Sequence, residues 1–260
     1  MLNINPVLFN IGPLAIRWYG VLMGVSILVG AIILMQLAKQ RDVDEDTVLN
    51  LLPLTVIAGL IGARIVYVAT NWSFYVFDPA EIIRIDHGGL SFHGAVIGGL
   101  LAALVYLRYK HIPWEPVADL FVPGLSIGII LVRIGNLING EAQGRITASG
   151  FQHPTQLYGS SIGLVLLIIT MVLWRRHVRP GVVFWNFVLW YSVLRSVFEE
   201  TFRDNPLYLW GYINTKYGIG LFTLTQIVSV PIIAIAIWRL WQLNHDKASA
   251  DRKKPAPSKR

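Results

Sequence analysis

The chain has 260 residues, of which 54% are hydrophobic and only 14% are charged, whereas soluble domains carry roughly 25% charged residues. This composition excludes an ordinary soluble domain, and the absence of cysteine excludes disulfides, thiolate catalysis and cysteine metal sites. The net charge of +7 is interpreted as basic cytoplasmic loops and a basic tail, not as a nucleic-acid-binding surface.

Seven apolar segments, each close to the ~20 residues that a bilayer requires, are predicted to be membrane-spanning helices. The fourth and sixth are the weakest, because Pro123 interrupts the fourth and charged residues end the sixth. The segments run approximately over Leu14–Leu37, Val48–Ala69, Leu90–Leu107, Val117–Ile134, Leu157–Trp174, Val182–Phe198 and Leu221–Trp241.

Basic residues follow the first, third, fifth and seventh segments. Because cytoplasmic loops are enriched in Lys and Arg, the N-terminus is predicted outside and the C-terminus in the cytoplasm. We therefore predict an all-α, polytopic membrane protein with about seven transmembrane helices. Residues 1–243 form one transmembrane domain, and residues 244–260 form a basic, disordered cytoplasmic tail. The polar motifs then fall on or near the extracytoplasmic side.

The first polar motifs in chain order lie at the outer ends of the first two spans. Trp18 and Tyr19 open the first span, where aromatic residues commonly anchor a helix at the membrane interface. Arg64 lies in the outer half of the second span, and two interpretations stay open for it. It is either a buried structural residue or a contact for a lipid headgroup.

The segment HGGLSFHGAVIGG, residues 87–99, opens the third span. Gly94 and Gly98 have the spacing that allows helices to pack closely. His93 lies just inside the span, where a neutral imidazole can act as a base or as a hydrogen-bond donor. A structural, hydrogen-bonded histidine is the equally weighted alternative. His87 is expected in a surface loop.

The densest polar stretch is RIGNLINGEAQGR, residues 133–145, at the outer end of the fourth span. An arginine at the membrane edge is costly unless it pairs or binds a ligand. Guanidinium grips phosphate oxygens in a fork, so Arg133 is predicted to bind an anionic lipid phosphate. The alternative is a structural salt bridge to Glu141 or Glu199.

Arg195 and Glu199 are four residues apart at the end of the sixth span, so they are expected to share a helix face. Arg203 lies two turns beyond Arg195. An isolated ion pair is one interpretation of this segment. A second arginine beside Arg133, forming a clamp for a phosphodiester, is the favoured one.

Several site types find no support in the sequence. It contains no HExxH, no GxxxxGK[ST] and no GxSxG motif. The histidines lack metal-ligand spacing, and no metal or organic cofactor is expected. A transporter would show two similar halves with broken helices, which are not visible here. A membrane assembly factor that uses its glycines for packing would leave the polar stretch unexplained.

These motifs carry a family resemblance. RIGNLINGEAQGR closely resembles the signature G-R-x-G-N-F-I-N-G-E-x-x-G-R of the bacterial prolipoprotein diacylglyceryl transferases. GGLSFHGAVIGG, IRWYG, HPTQLY and the segment 195–203 match further blocks of that family in the expected order. The resemblance extends from Pro6 to about Trp241.

The resemblance implies an enzyme of the bacterial cytoplasmic (inner) membrane, with residues 1–243 as its catalytic domain and its site towards the outer face. Such an enzyme attaches the diacylglyceryl group of phosphatidylglycerol to the cysteine thiol of a prolipoprotein signal peptide, forms a thioether and releases glycerol phosphate. The reaction needs no cofactor, and the partners are the lipid, the signal peptide and the bilayer.

The resemblance also implies roles for individual residues. Arg133 would bind the lipid phosphate, and Arg195 matches a second essential arginine. His93 and Tyr19 match residues implicated in catalysis or substrate placement. The residues expected to shape the substrate site are Asn136, Asn139, Glu141, Arg145, Glu199 and Arg203.

The sequence departs from the family pattern at three places. Val132 stands where the signature begins with Gly, and Gly159 follows HPTQLY where the family usually has Glu. The segment FEETFR contains one residue more than the usual spacing between glutamate and arginine. Either Glu199 or Glu200 therefore matches the family glutamate.

Overall fold

The computed structural model describes residues 4–12, 14–85 and 88–252. These residues are mostly helical and divide into two compact units. The first unit comprises the chain up to Ile33 and from Ala118 onwards, and the second spans Leu34–Val117. His87, which the sequence predicts to lie in a surface loop, is outside the described residues.

In the second unit, the long helices α2 (Glu45–Thr70) and α4 (Phe92–Tyr109) pack against each other, with the short helix α3 (Trp72–Tyr75) between them in the chain. A Cβ at Gly94 would collide with the carbonyl of Gly62, and a Cβ at Gly98 with the carbonyl of Ala58. The predicted packing role of Gly94 and Gly98 is confirmed, because only glycine permits this backbone approach.

The first unit begins with an antiparallel hairpin of β1 (Val7–Ile11) and β2 (Leu14–Arg17). A second antiparallel hairpin precedes the last helix. Neither hairpin was expected from the sequence. The remaining elements of this part of the chain are α1 (Trp18–Ala38), α5 (Trp114–Asn139), α6 (Thr155–Arg175), α7 (Val182–Leu194), a π-helical turn (Arg195–Glu199), β3 (Leu207–Asn214), β4 (Ile219–Thr223) and α8 (Leu224–Arg252).

Five helical segments of the described chain are long and apolar enough to cross a bilayer: Trp18–Arg41, Glu45–Thr70, Trp114–Asn139, Thr155–Arg175 and Leu224–His245. The chain is therefore a polytopic helical membrane protein. Pro123 lies within α5, and the helix continues past it to Asn139. The helices α4 and α7 are shorter, with 18 and 13 residues, so the count of seven spans and the orientation stay predictions. The helix α8 extends into the segment predicted to be a tail.

The start of α7 is fixed by a buried carboxylate on α5. Asp119 is fully buried and accepts hydrogen bonds from the backbone N–H groups of Gly181 at 2.9 Å and Phe184 at 2.8 Å. The first N–H groups of a helix have no partner within the helix, so Asp119 acts as a cap supplied by a neighbouring helix. This contact positions α7, whose far end carries Arg195.

Candidate active site

The polar loop that follows α5 is held by the first residues of α6. Gly140 and Ala142 both have positive φ angles, +71° and +55°, so the chain turns sharply after the helix. Thr155 donates to the carbonyl of Ala142 at 2.7 Å, and Gln156 donates to the carbonyl of Glu141 at 2.7 Å. The motif HPTQLY, which contains both donors, therefore stabilises the RIGNLINGEAQGR loop.

Arg145, predicted to contact substrate, joins this loop to the segment after the π turn. Its backbone N–H donates to the carbonyl of Phe202 at 2.7 Å. Its guanidinium donates to the carbonyls of Asn205 at 2.7 Å and Thr201 at 3.4 Å. Burial lowers the pKa of Arg145, while Asp204 and Glu200 raise it. These contacts make Arg145 a structural tie, and its contact with substrate stays a prediction.

The end of the sixth predicted span is a π-helical turn, Arg195–Glu199. The backbone N–H of Glu200 donates to the carbonyl of Arg195 at 2.8 Å, five residues back. The interpretation of Arg195 and Glu199 as an isolated ion pair is therefore wrong. Arg195 instead pairs with Glu200, at 3.1 Å between Nη2 and Oε1. A π turn accommodates one extra residue within a helix, which agrees with the additional residue in FEETFR.

Because of this turn, both glutamates point into one buried ionic cluster. Glu199 pairs with Arg133 and lies 3.5 Å from Arg203, and Glu200 lies 3.6 Å from Arg203. Glu199 and Glu200 are 1% and 0% exposed. We call Arg133, Arg195, Arg203, Glu199 and Glu200 the arginine–glutamate cluster. Three arginines alternate with two glutamates, so the cluster carries one net positive charge.

The pKa of Arg203 reflects this excess of positive charge. Burial lowers the pKa of Arg203, the nearby positive charge of Arg133 lowers it further, and Glu200 and Glu199 raise it. Positive charge in a poorly hydrated position favours an anionic ligand. The salt bridge of Arg133 to Glu199, the alternative that the sequence left open, is present, and phosphate binding by the cluster stays a prediction.

Two residues that the sequence did not predict hold Arg195 and its partner Glu200. Its Nη1 donates to the hydroxyl of Tyr191 at 2.5 Å, and Asn205 donates to Glu200 at 2.7 Å. The Nε of Arg195 is buried and has no hydrogen-bond partner among the described residues. A sequence signal for Tyr191 existed, since it precedes Arg195 by one helical turn. Asn205 had none, because it lies in an irregular segment.

Gly159 explains how Arg133 reaches Glu199. A Cβ at Gly159 would lie 2.6 Å from Nε of Arg133 and 2.9 Å from its Cδ and Cγ. The side chain of Arg133 therefore lies directly across the bare backbone of α6. In this position the guanidinium of Arg133 reaches the carboxylate of Glu199.

The other predicted residues of the first unit are Tyr19 and three residues of the loop that follows α5 or of its approach, Asn136, Asn139 and Glu141. Tyr19 of α1 packs against Gly135, because a Cβ at Gly135 would be 2.9 Å from the Tyr19 ring. The backbone N–H of Glu141 donates to the carbonyl of Asn136 at 2.9 Å. Asn139 Nδ2 lies 3.4 Å from the carboxylate of Glu141. These contacts order the loop, and its contact with substrate stays a prediction.

The second unit contains His93 and Arg64. His93 is exposed in the first turn of α4, which Ser91 caps by accepting from the N–H of Gly94 at 3.4 Å. Arg64 is 8% exposed and donates to the backbone carbonyls of Glu81, Ile82, Arg84, Gly88 and Gly89. Of the two interpretations of Arg64, the structure supports the buried structural residue. Across the described residues, no group of His, Asp and Glu side chains is arranged to hold a metal ion.

Comparison with known proteins identifies the family of the chain. The family model described as prolipoprotein diacylglyceryl transferase matches residues 6–242. The chain belongs to this family. Proteins named phosphatidylglycerol–prolipoprotein diacylglyceryl transferase are similar to it over nearly their whole length. That of Thermoanaerobacter sp. (strain X514) is 44% identical and that of Thermus thermophilus 39%, with 94% and 92% of this chain and 96% and 99% of the relatives covered.

A more distant relative with the same name, from Lysinibacillus sphaericus, is 33% identical over 91% of each chain. Membership in the prolipoprotein diacylglyceryl transferase family makes the chain a transferase. The family blocks now have physical roles in this chain. HPTQLY holds the signature loop, and the last block forms the π turn of the cluster.

Proposed function

We propose that the protein transfers the diacylglyceryl group of phosphatidylglycerol to the lipobox cysteine of prolipoproteins, forming a thioether and releasing glycerol phosphate. This is the first step of lipoprotein maturation. The observation that carries the proposal is the buried arginine–glutamate cluster with its net positive charge. The names of the relatives agree with the proposed substrates.

The proposed setting is the bacterial inner membrane. Seven spans, with the N-terminus outside and the C-terminus in the cytoplasm, direct the cluster towards the extracytoplasmic side. The support is the distribution of Lys and Arg along the sequence. The bilayer supplies phosphatidylglycerol, and the cysteine belongs to the signal peptide. The basic tail over residues 244–260 stays on the cytoplasmic side.

In this proposal, Arg133 and Arg195 hold the phosphate of phosphatidylglycerol. Each is paired with a different buried glutamate, so each guanidinium has a fixed orientation before the lipid arrives. Preorganised charge is effective where charge develops in the transition state, because no reorganisation is needed there. Arg203 bridges the two glutamates and supplies the surplus positive charge.

The chemical step is a displacement at the phosphate-bearing carbon of the diacylglyceryl group. The sulfur–carbon bond forms, the carbon–oxygen bond breaks, and the electron pair leaves on the phosphate oxygen of glycerol phosphate. The thiol proton must be removed, since the thiolate is the nucleophile. His93 is the proposed base. A lowering of the thiol pKa by the arginines is the alternative route, and Tyr19 is proposed to help place the substrate.

The test is transfer of labelled diacylglycerol from phosphatidylglycerol to a peptide with a lipobox cysteine, in detergent with EDTA. Arg133→Ala is the informative variant. Arg175→Ala is the matched control, because Arg175 is an exposed arginine at the far end of α6. Label on the peptide that is lost with Arg133→Ala and kept with Arg175→Ala supports the proposal. Lack of transfer by folded wild-type protein, across lipids and peptides, would overturn it.

A further inference from the structure

The strand β3 exposes apolar and aromatic side chains along most of its length. Its eight residues, LYLWGYIN, include no charged side chain. Tyr208, Leu209, Trp210, Tyr212 and Ile213 are between 47% and 82% exposed. Contiguous exposed apolar surface on a folded protein usually marks an interaction site. The transferase chemistry proposed above does not use any of these residues.

A bulge in the hairpin pushes two of these side chains outwards. The pairing moves from Leu207 opposite Thr223 to Tyr212 opposite Leu221. An advance of five residues along β3 therefore corresponds to an advance of only two residues along β4. Leu209 lies within the bulge at a φ of +53°, which is uncommon for a residue other than glycine. Trp210, beside it, is 82% exposed. Bulges that re-aim side chains in this way are structural features of a strand and not defects.

The position of the hairpin in the chain identifies what covers it. The strand β4 ends at Thr223, and α8 begins at Leu224 without a linker. Leu224–His245 is long and apolar enough to cross a bilayer. A hairpin joined directly to the end of such a helix lies close to the membrane surface. Trp and Tyr are enriched at that depth, because one side of each ring is apolar and the other carries a polar group.

The same hairpin is tied to the arginine–glutamate cluster. The N–H of Gly220, in β4, donates to the carbonyl of Thr201 at 2.8 Å. Gln226, in the first turn of α8, donates to the carbonyl of Ser196 at 3.0 Å. Arg145 packs over Gly220, since a Cβ at Gly220 would collide with its guanidinium. Movement of the hairpin relative to the membrane would therefore move the π turn as well.

We propose that the β3–β4 hairpin is a membrane-interface anchor. Leu209 and Trp210 insert into the headgroup–acyl boundary of the leaflet at which α8 begins. The anchor sets the depth of the arginine–glutamate cluster relative to the lipid phosphates. The occupant of the apolar surface is thus lipid, and not a second protein chain. The anchoring itself does not depend on the reaction that the cluster performs.

The absence of native cysteine allows a direct test with single spin labels. Trp210→Cys is labelled in nanodiscs of phosphatidylcholine and phosphatidylglycerol, and its accessibility to oxygen and to a water-soluble nickel complex is measured. Ile235→Cys, at an exposed position inside α8, is the reference within the bilayer. Ser149→Cys, at an exposed polar position in the loop before α6, is the reference outside the acyl region.

The expected result is a depth for the label at position 210 between those of the two references, with oxygen favoured over nickel. A Leu209→Cys label should report the same depth, which covers the case that Trp210→Cys fails to fold. Nickel accessibility equal to that of Ser149→Cys would overturn the proposal. Shielding from both reagents would also overturn it, since it would indicate a protein partner. None of these outcomes requires turnover, so a failed transfer assay does not affect them.

Discussion

Two buried arginine environments in this molecule differ in what surrounds the charge. In the second unit, Arg64 is surrounded by neutral backbone, and its guanidinium donates to five carbonyls between Glu81 and Gly89. In the first unit, Arg133, Arg195 and Arg203 face the carboxylates of two glutamates. The aromatic ring of Tyr75 adds to the first environment, 5.4 Å from the guanidinium of Arg64.

This difference separates a structural arginine from arginines suited to a ligand. The N–H donors of Arg64 are occupied by backbone carbonyls of one loop, which are part of the chain and cannot be exchanged for a ligand. Arg64 therefore fixes the segment that leads into α4. The cluster has more positive than negative charge, and Nε of Arg195 has no partner among the described residues. Burial of unbalanced charge is costly, so an arriving phosphate would relieve that cost.

The largest effect is expected for the cluster itself. Arg133→Ala and Arg195→Ala should each lower the transfer rate by about 10²–10³-fold, the range found when one group that stabilises transition-state charge is removed. Initial rates with phosphatidylglycerol and a lipobox peptide provide the measurement. Size exclusion and thermal unfolding of the same variants check that the fold is kept. Near-normal turnover by Arg133→Ala would contradict the assigned phosphate contact.

Arg64→Ala should act on stability and not on the reaction. We expect it to lower the free energy of unfolding without a specific loss in the transfer rate. Five carbonyls lose their donor, and each buried unsatisfied group costs about 1–3 kcal/mol before water enters. We expect a net loss of about 2–4 kcal/mol, since water will rehydrate part of the loop. Thermal unfolding in detergent measures this loss. Arg64→Lys should recover little of it, because an ammonium group cannot reach five acceptors in a plane.

Gly159→Ala tests how the side chain of Arg133 is held. The added methyl group would lie 2.6 Å from Nε of Arg133, so the guanidinium must shift away from its partner. A displaced catalytic group can cost up to about 10²-fold in rate, and we expect about tenfold here. Gly128→Ala on α5 is the matched control, because its Cβ would meet nothing within 4 Å. Equal rates for the two variants would show that the orientation of Arg133 is unimportant.

The long helices could be predicted from the sequence, whereas the two hairpins could not. The long helices followed from apolar runs, because a run near the bilayer length leaves few alternatives. The two hairpins did not follow. Their strands are short, and Leu14–Arg17 was absorbed into the apolar run of the first span. The strand β3 has no alternation of apolar and polar residues, since a bulge interrupts its pairing.

The sequence predicted which residues form the candidate site, but not which arginine pairs with which glutamate. Arg133, Arg195, Glu199 and Arg203 were named, and the alternative pairing of Arg133 with Glu199 was open. The partner of Arg195 could not be deduced, because helical periodicity assumes 3.6 residues per turn and the π turn breaks that assumption. The extra residue in FEETFR was the available signal. It indicated a local change of register without giving its form.

The smallest predicted effect tests whether Arg195 pairs with Glu200, as the π turn requires, and not with Glu199. In a double-mutant cycle on stability, Arg195→Met with Glu200→Gln should give a coupling of about 1 kcal/mol, within the range for residues in contact. Arg195→Met with Glu199→Gln should give a smaller value, because Glu199 pairs with Arg133 and Arg203. Thermal unfolding of the four variants in each cycle provides both numbers. A regular α-helix would bring Glu199, and not Glu200, to Arg195, so the reverse order of couplings would contradict the π turn. It would also remove the physical reason for two buried glutamates serving two different arginines.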